Sequence, residues 1–399
     1  MITVRRLATL LLLAATSVSA QLFEDEPLAI KLSLPSMMVH QCKPGPWGDL
    51  EYHYLYLEAP MSTVELINVP SRNAVWSFPG KSAEEVHEFL ISSGAPSEEV
   101  KSCFDYSVAY QTGGIFKFFP SAELISDLEP GPRQTIYAEL RRWPENKSYH
   151  APVVIASGDV FEWFRNSGLK DETIAHIEKL SYPLGNARGF SDVSTVVRGL
   201  YNDEEELALL KALTRTRSLI LSLRIKPDTD TALLKRYWSA GYKSKDVVTL
   251  FDAVARIEGL ETIDVTRLLP PTPRKYIYTF PSRSLGVDGT YPDSFWASLN
   301  FFNYFPDEQF DDIEKVMAYA KENYDISTGP LTFGDLIIMR DAKSGRAIHS
   351  CVFIADDIVY SKNGRSIFQP FMLVKLNDIY NRIAIEEKPQ LEVWRKRDR

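Results

Sequence analysis

Three stretches of the chain follow one pattern, and that pattern restricts the fold more than any other feature. They are residues 86–100 (VHEFLISSGAPSEEV), 160–174 (VFEWFRNSGLKDETI) and 233–247 (LLKRYWSAGYKSKDV). Aligned on Gly94, Gly168 and Gly241, they stand 74 and 73 residues apart. Val86, Val160 and Leu233 lie eight residues before the glycine, and Leu90, Phe164 and Tyr237 four before. Val100, Ile174 and Val247 lie six after, and Cys103, Ile177 and Leu250 nine after. Apolar steps of three and four are those of a helix buried on one face. A glycine closing the first helix suits the left-handed position, where a Cβ is strained. Acidic or small polar residues then open a second helix. Each copy therefore reads as a helix–Gly–helix hairpin, with strand-like runs between copies at 152–156 and 218–225. The even spacing favours duplication over chance recurrence of a common helical hairpin. Units around 76–150, 151–224 and 225–270, inside an α+β region spanning 21–270, predict a scaffold or recognition surface with nothing catalytic in it.

The first twenty residues have the composition of a secretory leader. Arg5 and Arg6 give a positive start, Leu7 to Ala15 a short apolar run, and Val18-Ser19-Ala20 small residues at a cleavage point. The run is too short to span about 30 Å of hydrocarbon. No cysteine follows the cleavage point to carry a lipid, and no later stretch has the length of a membrane span. The expectation is an exported, secreted or periplasmic protein. The formal charge of −8 becomes −10 once the two leader arginines are gone. So acidic a chain offers no footprint for nucleic acid. Cys42, Cys103 and Cys351 are too few for a disulfide framework. The alternatives are a single Cys42–Cys103 pair and three buried thiols. The repeat favours the thiols, since it gives Cys103 a core position.

The proline-rich segment 271–283 (within LLPPTPRKYIYTFPSR) marks a linker. A separate domain is expected over 284–390, followed by a solvated basic tail, 391–399. Within that domain, Asp293 suits the cap of a helix that starts at Ser294 and carries Phe295, Leu299 and Phe302 on one face. A Gly-Asp turn at Gly334-Asp335 leads into a strand. The run AIHSCVFIADDIVYSKNG (347–364) alternates, turns at Asp356-Asp357 and returns, as a β-hairpin does. Helix first and antiparallel sheet after makes an α+β domain.

These residues resemble the NlpC-type cell-wall peptidases, a papain-like family, over about the last third of the chain. In that family a cysteine follows an Asp or Asn at a helix N-terminus, and a GDL turn enters the sheet. A strand histidine then faces the cysteine, and a polar residue about twelve positions later orients the imidazole. The resemblance puts Ser294 at the nucleophile, Gly334-Asp335-Leu336 at the turn, His349 at the histidine, and Ser361 at the third position, with Lys362 and Asn363 beside it. Serine in place of cysteine weakens the implied chemistry. A thiol near pKa ~8.5 is readily lowered to a thiolate by a helix N-terminus and an imidazolium. A hydroxyl must instead lose its proton during attack. Ser294 also reads as a helix-terminal residue that satisfies a backbone donor, and His349 as a hydrogen-bonded strand histidine. Cys351 shares a strand face with His349, so it reads as an apolar filler beside the histidine or as a relocated nucleophile.

Other chemistry is thin. His40, Cys42 and His53 form only a weak metal cluster, and Gly113-Gly114 lacks a phosphate-loop pattern. Asp311-Asp312 and Asp356-Asp357 read as helix or turn acids. Tyr52 to Tyr56 (YHYLY) alternate like a packed strand, with glycan stacking as the alternative. No cofactor or metal is expected. The leading reading is an exported protein whose NlpC-like domain has lost or weakened its hydrolase activity and binds cell-wall peptide or a protein partner. The second is an active serine amidase, peptidase or acyltransferase with Ser294 as nucleophile, His349 as base and Ser361 or Asn363 as orienter. The third is an exported structural or interaction protein.

Overall fold

The computed structural model describes residues 38–397, apart from 69–70, 109–112, 201, 240–244, 255, 258, 283–290 and 385–387. The expected leader, Gly241 of the third hairpin and the segment 284–290 lie outside the described residues. The fold is mixed, 41% helix and 22% strand. The strand pairings among the described residues are all antiparallel, which makes it α+β rather than α/β.

The chain enters through β1 (His40–Gln41) and β2 (Asp49–Leu57), then a single turn, α1 (Met61–Val64). Three units follow, each with a strand, two helices and a returning strand. In the first, β3 (Trp76–Pro79) leads into α2 (Ala83–Ser92) and α3 (Ser97–Val108), and β4 (Ile115–Phe118) returns beside β3 with Trp76 opposite Phe118. Helices α4 (Ala122–Asp127), α5 (Pro130–Arg141) and α6 (Lys147–His150) connect to the second unit. There β5 (Val153–Ile155), α7 (Val160–Phe164) and α8 (Asp171–Leu180) are followed by β6 (Tyr182–Leu184) and β7 (Ala187–Phe190), and β7 pairs with both β5 and β6. After α9 (Val193–Arg198) and α10 (Asp203–Leu213), the third unit runs β8 (Thr216–Arg224), α11 (Thr231–Trp238), α12 (Lys245–Val254) and β9 (Thr262–Asp264), with β8 against β9.

The helix breaks have the cause given by the pattern. Gly94 and Gly168 adopt φ of 88° and 84°, in the left-handed region that favours glycine. The equivalent apolar residues Val86, Leu90, Val100, Cys103, Val160, Phe164, Ile174 and Ile177 are all buried in one core. The third copy is offset: Tyr237, Val247 and Phe251 are buried, while Leu250 is only partly so. Strand 216–224, read above as the end of the second unit, is the opening strand of the third. It also joins that unit to the chain's start, because β2 pairs with β8 along nine residues, Asp49↔Arg224 to Leu57↔Thr216.

The proline-rich segment is not a linker. It forms α13 (Pro271–Tyr276), with Thr272, Pro273 and Ile277 buried. Beyond it the backbone N–H of Tyr278 donates to Phe371 O at 2.7 Å, and Phe371 N–H to Thr279 O at 2.9 Å. Nor is there a boundary in the packing. One continuous core holds Leu221, Phe251, Trp296, Val352 and Tyr360, so the third unit and the C-terminal sheet share it. The remaining elements are α14 (Ser294–Leu299), α15 (Ile313–Asn323), β10 (Tyr324–Ile326), β11 (Leu336–Arg340), β12 (Ala347–Ala355), β13 (Ile358–Lys362), β14 (Phe371–Lys375), α16 (Leu376–Ile383) and β15 (Gln390–Lys396). The sheet order is β10-β15-β11-β12-β13-β14. The expected solvated tail is therefore wrong over 391–396, which lies in β15 between two strands. Its charges are used: Arg395 forks onto the buried Asp335 at 2.9 and 2.6 Å, and Arg397 pairs with Asp325.

Cys42, Cys103 and Cys351 are free thiols, so the Cys42–Cys103 pair is not formed. Cys103 sits in the core of the first two units, while Cys42 packs against the core of the third. No helix among the described residues is long and apolar enough to cross a membrane.

Candidate functional site

Asp293 caps α14 by accepting the N–H groups of Phe295 and Trp296 at 2.9 and 3.0 Å. All six residues of this helix are buried, because it is pressed onto β12 and β13. The anchor strand β11 is fixed by the Gly-Asp turn. Gly334 takes φ of 84°, and Asp335 accepts Thr332 N–H as well as the Arg395 fork.

Ser294 is 3% exposed. Its Oγ accepts the N–H of Ser350 at 3.3 Å. Ser350 Oγ donates to Ser294 O at 3.0 Å and lies 3.1 Å from Ser298 Oγ. The side chain that meets the helix is thus Ser350, not His349. Neighbouring residues of a strand point to opposite faces, so His349 lies on the far side of the sheet from Ser294. The cores agree: Val352, Ile354 and Tyr360 join the face under α14, while Cys351, Phe353 and Val359 join the other. The expected Ser294–His349 dyad is corrected on this ground. A pleated layer separates the hydroxyl from the imidazole, and no side-chain rotation brings them together.

The other expected partners stay with the histidine. His349 Nε2 is 3.0 Å from Ser361 Oγ, and Ser361 donates its proton to Ser350 O at 3.3 Å. That leaves a Ser361 lone pair for an Nε2–H, which orients a neutral imidazole. Burial, with the nearby Arg382 cation adding to it, pulls the His349 pKa down to about 3. Asn363, two residues beyond Ser361 along the chain, lines a small cavity bounded by Met372, Val374 and Arg382. The four expected site residues therefore divide into Ser294 on one face and His349, Ser361 and Asn363 on the other.

On the Ser294 face, the groups the expected site omitted are Ser298 and Ser350, and Lys362 shares that face with Tyr360. Lys362 is fully buried, and burial pulls its pKa down to about 7, against a raising effect from Asp293. Its Nζ donates to the carbonyls of Gly364 and Ser366 at 2.7 and 3.1 Å, and among the described residues no hydrogen bond joins it to Ser294. Arg365 reaches over the helix cap, Nε to Asp293 Oδ2 at 3.2 Å. Among the described residues, Ser294, Ser298 and Ser350 form a buried hydrogen-bonded cluster at this end of α14.

The weaker candidates resolve by packing. Cys351 is fully buried and burial raises its thiol pKa, which makes it an apolar filler. Tyr52, Tyr54 and Tyr56 pack against the two main cores, and the Arg217 guanidinium lies 3.5 Å from the Tyr54 ring centroid. His40 stacks on Tyr52 with ring centroids 5.0 Å apart. Among the described residues no three His, Cys, Asp or Glu side chains converge to hold a metal ion. The turn Asp356-Asp357 joins β12 to β13, Asp356 accepting Lys43 N–H and Asp357 pairing with Lys375. No protein-family model, curated protein or solved structure matches the chain.

Proposed function

We propose that this is an exported, non-catalytic binding protein. Its C-terminal part is a papain-like domain of NlpC type whose hydrolytic site has been lost, and it holds a cell-wall peptide or a protein partner. A capped helix on an antiparallel sheet, entered through a buried Gly-Asp-Leu turn, supports the ancestry. The observation that carries the loss of activity is the face assignment: Ser294 meets Ser350, while His349 meets Ser361 across the sheet. An acyl-transfer site needs a base within about 3 Å of its nucleophile, and here the facing strand position holds serine.

The test is mass-spectrometric analysis of cell-wall peptides incubated with wild type, Ser294→Cys and Ser294→Ala, alongside co-sedimentation of the wild type with insoluble cell wall. The expected result is co-sedimentation with no cleavage by any of the three, since sulfur alone gains no histidine. Cleavage by wild type that disappears in Ser294→Ala would restore the serine-enzyme reading. Export is checked by sequencing the N-terminus of the extracytoplasmic protein, expected to begin at Gln21.

A further inference from the structure

Among the described residues, the two most exposed aromatic side chains are neighbours in one loop: Tyr304 is 69% and Phe305 77% exposed. Their rings meet edge to face with centroids 4.8 Å apart. A single apolar side chain in water is ordinary, whereas contiguous exposed apolar surface marks a place of contact. The loop, residues 303–307, leaves the end of α14 and is braced by buried groups. Asn300 is 0% exposed, and its Oδ1 accepts Asp307 N–H at 2.7 Å and Asn303 Nδ2–H at 2.8 Å. Its Nδ2 donates to Asp307 O at 3.2 Å, and Thr272 Oγ1 on α13 donates to Asn303 O at 2.5 Å. Beyond the loop a 3₁₀ turn (Glu308–Asp311) is anchored by the buried Phe310. A buried amide thus fixes a loop whose two largest side chains stay in water. A loop already held in one shape loses little freedom when a partner covers it, and aromatic residues are enriched at such contacts.

The same segment is acidic. Residues 303–314 hold Asp307, Glu308, Asp311, Asp312 and Glu314, and no lysine or arginine. Cations from nearby elements answer part of this charge. Arg365 pairs with Asp293 and donates to Asp311 O, and Lys315 stands 3.9 Å from Asp312. Negative charge stays in excess: the Asp311 pKa is raised by burial first, then by Glu308 and Asp293, against the opposing Arg365. Asp307 and Asp312 also serve the fold, accepting Gln309 N–H at 3.1 Å and Glu314 N–H at 2.9 Å, whereas Glu308 is exposed. Aromatic faces attract cations, arginine most often, so the rings and the carboxylates favour one kind of partner. The anionic headgroups of a membrane surface are repelled by the same acids.

We propose that the loop 303–308 docks an arginine-bearing segment of a protein partner, with guanidinium groups on the Tyr304 and Phe305 rings and paired with Glu308. The inference uses no residue of the Ser294 cluster. It stands whether or not the chain binds cell wall.

The test is fluorescence anisotropy of dye-labelled hexa-arginine titrated with the full chain. The variants are the double substitution Tyr304→Leu with Phe305→Leu, and Glu308→Gln. A chain of formal charge −8 attracts any polycation, so Phe161→Leu and Glu204→Gln, exposed positions in the second unit and on α10, serve as controls. The double substitution keeps apolar area and removes the ring faces, and it is expected to weaken binding about tenfold. Glu308→Gln is expected to weaken it about threefold, and the controls to leave it unchanged. The urea midpoint of the double variant is expected to equal that of wild type, because both rings are exposed. Glu308→Gln reads the same site should the ring substitutions disturb the loop. Equal affinity in the double variant and wild type would reduce the attraction to net charge. Sedimentation with phosphatidylcholine vesicles that disappears in the double variant would assign the loop to a membrane surface. Either result overturns the proposal.

Discussion

His349 and Lys362 both sit in the C-terminal sheet, and burial disfavours the charged form of each. For His349 the folded pKa of about 3 lies below the ordinary value of about 6.5. Between those values only the unfolded chain takes up the proton, so stability present above pH 6.5 is lost as the pH falls toward 3. Lys362, lowered to about 7 against an ordinary 10.5, acts higher on the scale: stability rises as the pH climbs from 7 to 10.5. Urea unfolding at pH 4.5 and 7 is expected to show a smaller acid loss for His349→Gln than for wild type. The same measurement at pH 7 and 9.5 is expected to show a smaller alkaline gain for Lys362→Met. Equal slopes in variant and parent would mean that these groups are solvated in the folded chain. The residue types at the C-terminal site were legible from the sequence, and the His349–Ser361 contact twelve residues apart was among the expectations. Which face each residue serves was not. Both sides of this sheet are buried, with Val352 and Ile354 on one and Cys351 and Phe353 on the other. Alternation shows that faces exist but does not identify the one that α14 covers.

At the scale of elements, the hairpins were readable because a helix with one buried face writes its period into the sequence and, at Gly94 and Gly168, a left-handed turn selects glycine. The strands that enclose them were less so. β3 and β4 are four residues each and pair across two intervening helices, a contact that no local pattern encodes. Gly94 tests the turn. A Cβ there would be strained at φ of 88° and would stand 3.1 Å from Pro132 Cγ. Gly94→Ala is expected to cost about 1–2 kcal/mol, read from the urea midpoint at unchanged slope. Gly168→Ala meets Ala208 only at 3.5 Å, an ordinary contact, so its cost is expected to be the smaller of the two. The reverse order would show that the Pro132 contact does not set the difference, and a negligible cost at both would show that backbone strain is not what selects glycine here.

For the whole molecule, two features decide what can be removed. The first is a buried charge centre that ties the first unit to the second. Arg133 pairs with Asp192 at 2.9 Å, Tyr137 and Tyr149 both donate to that carboxylate, and Trp76 Nε1 donates to Tyr149. Replacing Asp192 with Ala strands a buried guanidinium, and a loss of about 3–5 kcal/mol is expected from equilibrium unfolding. A loss under 1 kcal/mol would mean that water reaches Arg133. The second is the core shared by the third unit and the C-terminal sheet. A proline-rich segment looks like a boundary in sequence because proline punctuates linkers, yet proline is equally at home in the first turn of a helix, as in α13. A fragment beginning at residue 284 loses the third unit's part of the core on the α14 side of the sheet, and it is expected to bind a hydrophobic dye and unfold without cooperativity. A sharp thermal transition in that fragment would re-establish an independent domain.

The ladder between residues 49–57 and 216–224 also has a consequence in time. During synthesis the earlier strand emerges with its hydrogen-bonding edge unmatched, and some 160 residues must follow before its mate exists. The two helical units in between can condense as they appear, since their contacts are comparatively local, whereas the ladder must wait for a distant closure. Nascent chains halted before residue 216 are thus the species most exposed to edge-to-edge aggregation, and the ones for which a holding chaperone matters most.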